Sequence, residues 1–286
     1  MRYCGRKFTP AELGSIRALI AANPKASRAA LSRHVCELLQ WYRPDGRLKD
    51  MSCRVAMLRM QDDGLLQLPP PRNGNNNGKP YTRRTERTAP KSSPVVIPSS
   101  AFAELQVYPV QDSVQSHLWN EYIQRYHYLG YAPVPGDQIR YIVWFQEQVV
   151  ALLSFRAAVW KTAPRDQFIG WSHQQRKDRL HLVINNARFL ILPWIQTSNL
   201  ASRILSMTTK RVVRDWVQRY HYSPVLVETF VESRRFTGTC YKAANWLYLG
   251  KTKGVGRLGI THKPKLPIKS IWVYPLHKNF RHKLCS

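Results

Sequence analysis

The chain has 286 residues and is 44% hydrophobic, enough for one large domain with a buried core and a second, small domain. Its 44 Lys and Arg against 17 Asp and Glu give a formal net charge of +27, which favours a polyanionic partner, foremost nucleic acid. An anionic membrane surface is the weaker alternative. No apolar run approaches the ~20 residues that a membrane span requires.

The five cysteines are scattered and never in CxxC spacing: Cys4, Cys36, Cys53, Cys240 and Cys285. This pattern argues against a zinc site or a disulfide framework. Free thiols are typical of a reducing compartment, so the sequence predicts a cytoplasmic protein.

Residues 1–71 predict a small helical domain. Thr9 and Glu12 form a capping box, and the apolar spacing that follows it predicts three helices. Residues 65–69, LLQLP, predict a short strand after the third helix. Three helices and a strand are typical of a winged helix-turn-helix domain, whose third helix enters the major groove of DNA.

The third helix is expected over residues 49–61, with Met51, Val55 and Leu58 on its buried side. Its outer face and flanks then carry the cations that are expected to contact DNA: Arg47, Lys49, Arg54 and Arg59. A helical protein-binding domain with a solvated basic face is the alternative.

Residues 72–100 contain NGNNNG, several prolines and serines, and almost no large apolar side chains. Such a composition cannot bury a core, so the segment is predicted to be a flexible linker. Its excess of basic residues would let it follow phosphates as well.

Residues 101–286 predict a mixed α/β domain. Strands are expected near 105–110, 139–145, 149–155, 181–194 and 225–232, and helices near 113–126, 199–220 and 238–246. Beyond Glu232 the chain has twelve Lys and Arg and no Asp or Glu, so a basic tail is expected to bind phosphate through Lys251, Lys253 and Arg257. A tail that only improves solubility is the alternative.

Several motifs lie along this domain: YHYLGY at 126–131, FIGW at 168–171, NNARFLILPW at 185–194, and ETF, GTCYKAANW and LGKTKGVGR between 228 and 257. Together they resemble the Druantia anti-phage DruA family, which also occurs joined to some insertion-sequence transposases. The resemblance implies a role on DNA in defence or mobile-element biology, with a helicase or transposase as partner. It does not imply a particular reaction.

The order of elements in residues 101–286 resembles the Gcn5-related acetyltransferase (GNAT) fold. Proteins of that fold hold the pyrophosphate of coenzyme A with a glycine-rich loop before their long helix, and the equivalent segment here, TSNLA at 197–201, has no glycine. Side chains would crowd the close approach that glycine permits, which argues against acetyl-CoA as a cofactor. A group transferase that modifies nucleic acid stays open as a further alternative.

Two near-repeats follow helical patterns, IQRYHYLG at 123–130 and VQRYHYSP at 217–224. Their histidines, His127 and His221, are candidate proton carriers near neutral pH, and Tyr128 is expected to stack on bases or bind phosphate. His127 is preferred because its motif belongs to the DruA-like pattern. Alternatively, both segments are helix C-termini closed by aromatic and basic side chains.

Glu228 lies at the centre of an apolar run, where a charge is costly unless it is paired or used. It is the candidate general base, or metal ligand, with Cys240 and Tyr241 as candidate nucleophiles beside it. An ion pair between Glu228 and an arginine, and inert packing of Cys240, are the structural alternatives.

Asn186 and Arg188 share parity in a predicted strand, so they are expected to reach one ligand, with the amide on a base edge and the guanidinium on a phosphate. A structural Asn turn at a strand end is the alternative. Among the carboxylates of this domain no two show a nuclease spacing. The sequence therefore predicts no metal site and leaves the cofactor undetermined, with a divalent metal still compatible.

These patterns predict a two-domain DNA-binding protein and favour an enzyme that cleaves or modifies DNA, with His127, Glu228 and Tyr241 at its centre. The alternative is a non-catalytic DNA-binding subunit that recruits a helicase or transposase. The sequence determines neither the reaction, nor whether the DNA is single- or double-stranded, nor the oligomeric state.

Overall fold

The computed structural model describes residues 1–71, 82, 84–134, 136–255 and 266–286. Two compact units divide the chain, Met1–Lys79 and Pro80–Ser286. None of the described helices combines the length and the apolar character that crossing a membrane requires.

The first unit contains three helices that follow a short hairpin. The hairpin pairs β1 (Arg2–Tyr3) with β2 (Arg6–Lys7) in antiparallel register. The helices are α1 (Pro10–Ala22), α2 (Arg28–Leu38) and α3 (Asp50–Asp62). The predicted capping box is present at the start of α1, because the side chains of Thr9 and Glu12 each accept the other's backbone N–H.

Helix α3 buries a different side from the one that the apolar spacing predicted. Its core side chains are Cys53, Ala56, Met57 and Met60. Of the three predicted side chains, Leu58 packs partly buried against this core, whereas Met51 and Val55 are 47% and 39% exposed. Small and sulfur-containing side chains fill this core, and because they carry weaker hydrophobic signals than Val, the pattern was assigned to the wrong side of the helix.

Residues 65–69 form no strand, although the sequence predicted one. Leu66 and Leu68 are buried in an irregular segment. Its backbone carbonyls accept from side chains of the helices instead of from a strand, since Arg17 donates to Leu65 and Arg28 to Pro69. Within residues 1–71 the strand expected of a wing is therefore absent.

The second unit is built on a seven-stranded sheet with the order β3-β4-β5-β6-β7-β9-β8. Neighbouring strands are antiparallel except β6 and β7, which are parallel. The mixed α/β class predicted for this part of the chain is confirmed. The strands are β3 (Leu105–Pro109), β4 (Gln138–Phe145), β5 (Gln148–Ala157), β6 (Val183–Ile191), β7 (Leu226–Glu232), β8 (Leu247–Lys251) and β9 (Lys269–Pro275).

Helices cover both faces of this sheet, and successive side chains of β4 identify the two faces. Tyr141 donates to Asp215 of α7, whereas its neighbour Arg140 donates to Asn120 of α4. We call these the α7 face and the α4 face. The helices are α4 (Ser113–Tyr126), α5 (Ala163–Ile169), α6 (His173–Arg179), α7 (Leu200–Tyr220), α8 (Thr239–Ala243) and α9 (Phe280–Cys285).

Part of the segment predicted as a linker is packed against this unit. Thr88 is fully buried, and its hydroxyl donates to the carboxylate of Glu121 on α4 at 2.6 Å. Further along, Ile97 is 1% exposed and belongs to the main core. A few well-placed side chains thus attach a polar, proline-containing stretch whose average composition predicted a flexible chain.

Gly238 precedes α8 at a point where the fold leaves no room for a side chain. Its φ is +81°, and a Cβ built there would lie 2.8 Å from the indole ring of Trp272. We expect Gly238→Ala to lower the free energy of unfolding by roughly 3 kcal/mol, the sum of left-handed backbone strain and overpacking.

Gly170→Ala is the matched control, because Gly170 has a similar φ of +85° and open space around it. Backbone strain alone should cost this variant roughly 1 kcal/mol. Urea unfolding of both variants checks the difference, and equal losses would contradict the close approach of Gly238 to Trp272.

Candidate functional site

A gap opens between the two parallel strands at the centre of the sheet. Residues 183–186 of β6 pair with residues 226–229 of β7, and the C-terminal halves of the two strands share no register. In open α/β sheets, ligands bind in crevices outside the carboxyl ends of the strands. The side chains around this gap are therefore the first candidates for a site.

A β-bulge in β6 determines which side chains reach the α4 face. Ser154 of β5 pairs with Arg188, and Phe155 pairs with Asn186, so Ala187 is left between them without a partner. Adjacent β5 residues point to opposite faces, so Asn186 and Arg188 do as well. The shared face that their spacing predicted does not exist.

Asn186 lies on the α7 face, where its amide is fully bonded. Its Nδ2 donates to the carbonyls of Ser154 and Arg188, both at 3.2 Å. Its Oδ1 accepts from the hydroxyl of Tyr241 at 2.9 Å. The amide thus holds the bulge together and connects it to α8. Its role is structural, but it lies at a bulge inside β6 and not in the turn at a strand end that was the alternative.

Tyr241 and Cys240, the two candidate nucleophiles, lie in surroundings that disfavour their anions. Tyr241 is 6% exposed, and burial raises the pKa of its hydroxyl. Burial likewise raises the pKa of the Cys240 thiol. Both groups are therefore protonated at neutral pH, and inert packing fits Cys240 better than nucleophilic attack does.

Glu228 lies on the α4 face with no exposed surface, in an ion pair with the equally buried Arg165 of α5. Nη1 of Arg165 lies 3.1 Å and 3.3 Å from the two carboxylate oxygens, and the backbone N–H of Val159 donates to one of them at 3.1 Å. Burial raises the pKa of Glu228, while Arg165 and this N–H oppose the rise. These contacts are those of a structural ion pair, with no opening for a substrate.

Three cations lie on the α4 face around the gap: Arg156 of β5, Arg188 of β6 and Lys269 of β9. Arg156 pairs across the sheet with Asn185, and Lys269 pairs with Glu232, which places all three side chains on this face. We call them the cationic cluster.

The cationic cluster has no ion pair among the described side chains. Burial and the neighbouring Arg156 lower the pKa of Arg188. Burial, Arg188 and Arg156 also lower the pKa of Lys269, and the charge of Glu232 opposes only part of that fall. Burial also lowers the pKa of Arg156, and the charge of the nearby Glu228 opposes only part of that fall. Like charges are thus desolvated side by side, which is unfavourable for the isolated protein.

His127 ends α4 beside this cluster. Burial, Arg188 and Lys269 lower the pKa of His127 to about 4, so its ring is neutral at pH 7. Its Nδ1 accepts the N–H of Leu129 at 3.2 Å, which leaves the ring proton on Nε2. His127 is therefore a neutral hydrogen-bond donor next to three cations.

The turn that follows His127 is attached directly to the cluster. Arg188 donates from Nε to the carbonyl of Gly130 at 3.4 Å. The ring of Tyr128 stacks on that of His127 with centroids 4.8 Å apart. The sequence candidates His127, Tyr128 and Arg188 are thus brought together. Cys240 and Tyr241 belong to α8, and Tyr241 bonds on the α7 face. Glu228 lies on the α4 face near Arg156 but is paired with Arg165.

The second near-repeat has a different environment. The hydroxyl of Tyr220 bonds to both the N–H and the carbonyl of Gln138, each at 2.7 Å. The hydroxyl of Tyr222 donates to Asp137, and His221 is exposed in a left-handed conformation. This segment closes a helix C-terminus, as the structural alternative expected.

Asn185 was not among the site residues chosen from the sequence, which preferred its neighbour Asn186. It is 2% exposed, lies between Arg156 and Glu228 on the α4 face, and its Oδ1 has no hydrogen-bond partner. A buried acceptor without a donor is rare and costly. The sequence signal was the Asn-Asn doublet, of which one member had to face away from the other.

Two stretches of the predicted basic tail are strands of the sheet, β8 and β9. Lys251 ends β8 and is exposed, Lys253 is exposed just beyond it, and Arg257 lies outside the described residues. Trp272 of β9 is 7% exposed and so packs in the core instead of lining a groove.

The DNA-contact candidates of the first unit differ in their pairing. Arg47 forms an ion pair with Asp45 at 2.6 Å, and Arg54 lies 3.6 Å from Asp50. Lys49 precedes α3, and Arg59 is exposed on it. In the part of the unit that the structure describes, neither Lys49 nor Arg59 has a carboxylate partner.

Metal-binding side chains do not gather in the described parts of the chain, where no three His, Cys, Asp or Glu residues lie close enough to hold an ion. The five cysteines are free thiols.

The lowered pKa of His127 predicts an acid-sensitive fold. In the unfolded chain His127 takes up a proton near pH 6.5, whereas the folded protein keeps it neutral down to about 4. Its contribution to stability is therefore complete above about pH 6.5 and is lost as the pH falls towards 4.

Urea unfolding at pH 7 and pH 5 tests this expectation. Between pH 7 and pH 5 the wild type should lose more stability than His127→Gln, because the glutamine at position 127 takes up no proton. His221→Gln is the matched control and should behave as the wild type does. Equal losses in the wild type and His127→Gln would contradict the buried, neutral ring.

Solved acetyltransferases are similar in structure to part of this chain. The ribosomal-protein-S18-alanine N-acetyltransferase from Escherichia coli is similar at 6% identity with a TM-score of 0.38, over 61% of this chain and 97% of that chain. The ribosomal-protein-S5-alanine acetyltransferase from Vibrio fischeri is similar at 9% identity with a TM-score of 0.39, over 61% and 94% of the two chains. The resemblance concerns the GNAT-like α/β fold and extends to no ligand or activity.

The family model for the Druantia protein DruA matches residues 60–263. This match spans more than half of the chain, so the chain belongs to the DruA family, as its motifs predicted. Membership indicates a protein of an anti-phage system. No curated protein matches the chain significantly.

Proposed function

We propose that the chain is a cytoplasmic DNA-binding protein of an anti-phage system and that the cationic cluster holds the DNA backbone. The observation that carries the proposal is a set of three partly buried cations that form no ion pair with a described side chain, Arg156, Arg188 and Lys269. Their desolvation and mutual repulsion cost stability, and such perturbed groups concentrate at functional sites. An anionic ligand would offset that cost.

The chemistry of the cluster suits a phosphodiester. Two guanidinium groups can bind phosphate oxygens in a forked geometry, and the ammonium of Lys269 adds a point charge. The neutral His127 supplies an Nε2–H donor without adding a further repelling charge. The net charge of +27 would attract a polyanion from a distance.

The first unit supports the same function through α3. Arg59 is exposed and unpaired there, whereas the charge of Arg47 is neutralised by Asp45. We therefore expect Arg59→Ala to weaken duplex binding by the full chain, by roughly 1–3 kcal/mol if the side chain contacts a base bidentately. Arg47→Ala should have a smaller effect. If a fluorescence anisotropy titration showed equal losses of duplex affinity in Arg59→Ala and Arg47→Ala, the contact of α3 with DNA bases would be contradicted.

A binding titration with the full chain tests the proposed function. Labelled single-stranded and duplex oligonucleotides are titrated with the wild type, Arg188→Gln and Arg214→Gln. Arg214 is the matched control because it lies on α7, across the sheet from the cluster, with its side chain 71% exposed. We expect Arg188→Gln alone to lose affinity. Full affinity in Arg188→Gln would overturn the assignment of the DNA site.

DNA processing at the same place is the second candidate function. The observation that favours it is His127, a residue with a strongly lowered pKa beside the anion-binding groups. Incubation with DNA, with and without divalent metal, distinguishes the outcomes. Shortened strands would support cleavage, and a mass change in the digested nucleosides would support modification. Unchanged DNA would favour a binding subunit that recruits a helicase or transposase.

A further inference from the structure

Two exposed aromatic rings meet beside the cationic cluster. Tyr128 comes from the turn after α4 and is 36% exposed, and Phe236 comes from the turn after β7 and is 51% exposed. Their centroids lie 5.5 Å apart with the ring planes tilted by 55°. We call them the aromatic pair. Both rings therefore keep a large part of their apolar surface in contact with solvent.

Charged groups place the aromatic pair next to the cluster. The guanidinium carbon of Arg235 lies 5.2 Å from the centroid of the Tyr128 ring. Burial and Glu232 raise the pKa of Tyr128, whereas Arg188 and Arg235 oppose the rise, so these side chains share one neighbourhood. Lys269 is the cross-strand partner of Glu232. The exposed rings and the cationic cluster thus lie side by side on the α4 face.

The two turns that carry the aromatic pair follow different elements of the sheet unit. The turn bearing Tyr128 is attached to Arg188, which donates to the carbonyl of Gly130. The turn bearing Phe236 is closed by the backbone N–H of Phe236, which donates to the carbonyl of Glu232. Glu232 ends β7, and Arg188 lies in β6. The ring contact therefore spans the gap between the two strands.

From this arrangement we infer that the site takes an unpaired nucleotide, with its base on the aromatic pair and its phosphate on the cationic cluster. The inference rests on the proposed function and names its substrate class, single-stranded DNA or a base turned out of a duplex. Aromatic rings bind the face of a base, and cations bind the adjoining backbone. Inside a duplex every base face is already stacked, so an intact double helix offers these rings nothing to bind.

Charge separates this occupant from a protein partner. An apolar peptide would cover the aromatic pair but would bring no anion to the cationic cluster, which has no ion pair among the described side chains. A nucleotide supplies a ring and an anion together. Arg235 adds a cation over the same platform, which is typical of sites that bind single strands.

The test compares three labelled ligands of equal length: a thymidine single strand, the same strand as a duplex, and a single strand of abasic sites. The abasic strand carries the same phosphates without bases and reports the cationic cluster alone. The full-length variants are Tyr128→Ala, Phe236→Ala and the conservative Tyr128→Phe. Tyr108→Ala is the matched control, because Tyr108 is 48% exposed on the edge strand β3.

We expect Tyr128→Ala and Phe236→Ala each to weaken binding of the thymidine strand by about 5- to 150-fold, the usual effect of removing one stacking ring. Binding of the abasic strand should be unchanged, and Tyr128→Phe and Tyr108→Ala should behave as the wild type does. A 2-aminopurine in the strand should lose fluorescence on binding to the wild type but not to Tyr128→Ala.

Two results would overturn the inference. One is an equal loss on the thymidine and abasic strands, and the other is no loss on either. Failure of the proposed function has a different signature, since the wild type would then bind the abasic strand no better than Arg188→Gln does. Thermal unfolding of each variant separates a lost contact from a lost fold.

Discussion

Replacement of all three members of the cationic cluster by glutamine is expected to weaken DNA binding and to stabilise the protein. Each of Arg156, Arg188 and Lys269 has a lowered pKa, so the folded state disfavours the charged form that is present at neutral pH. Removal of the charges relieves this cost. We expect the midpoint of thermal unfolding to rise by about 2–4 °C, the shift that ~1 kcal/mol produces in a protein of this size.

The same substitutions remove the groups proposed to hold the backbone. Loss of three phosphate contacts should lower DNA affinity by about 10²-fold at moderate salt. A binding site predicts that DNA affinity falls while the stability of the protein rises. A structural cluster predicts the opposite for stability, because replacing a cation that stabilises the fold makes the protein less stable. Lower affinity with lower stability would therefore contradict the account.

The matched control replaces three exposed cations of α7, across the sheet from the cluster, with glutamine: Lys210, Arg214 and Arg219. This variant has the same net charge as the cluster variant. If long-range attraction alone explained binding, both triple variants would lose affinity equally. We expect the control to lose much less.

Glu228→Gln is expected to have the largest effect on stability. It removes the partner of Arg165 in an ion pair whose side chains are both fully buried. Breaking such a pair from one side leaves an uncompensated buried charge and costs about 3–5 kcal/mol. Asp166, whose carboxylate lies 2.8 Å from Arg165, offsets part of this loss. Urea unfolding of the purified variant measures it.

Glu232→Gln is the matched control on the same strand. The partner of Glu232 is Arg235, whose side chain is 57% exposed. Exposed pairs contribute about 1 kcal/mol or less, so this variant should unfold close to the wild type. If Glu228→Gln were as stable as the wild type but biologically inactive, the structural assignment would be wrong. Glu228 would then be a functional carboxylate, as the sequence first suggested.

The sequence predicted the mixed α/β class and most of its elements because strand and helix patterns are strong over long segments such as α7. It could not predict the bulge at Ala187, since a bulge depends on register with β5 and leaves no periodic signal. That one extra residue reverses the side on which Arg188 lies relative to Asn186. The prediction that the two share a ligand failed for this reason.

The candidate site shows the same limit. His127, Tyr128 and Arg188 were named from motifs, and the structure places them together. Arg156 and Lys269 are far apart in the chain, and they meet Arg188 only through the order of the sheet. Glu228 was conspicuous as a charge in an apolar run, but its partner Arg165 lies on a short helix that no strong pattern predicted. Contacts between residues distant in the chain thus decide that Glu228 is part of a structural ion pair and that Arg156, Arg188 and Lys269 form a cluster.

The slope of log affinity against log salt is the measurement that tests the central claim most directly. Each phosphate neutralised by a cation contributes ~0.9 to the slope for duplex DNA and ~0.7 for a single strand. The cluster variant of Arg156, Arg188 and Lys269 should therefore show a slope about 2 to 3 units shallower than the wild type. The α7 control should keep most of the wild-type slope. A wild-type slope in the cluster variant would show that these cations do not hold the DNA backbone.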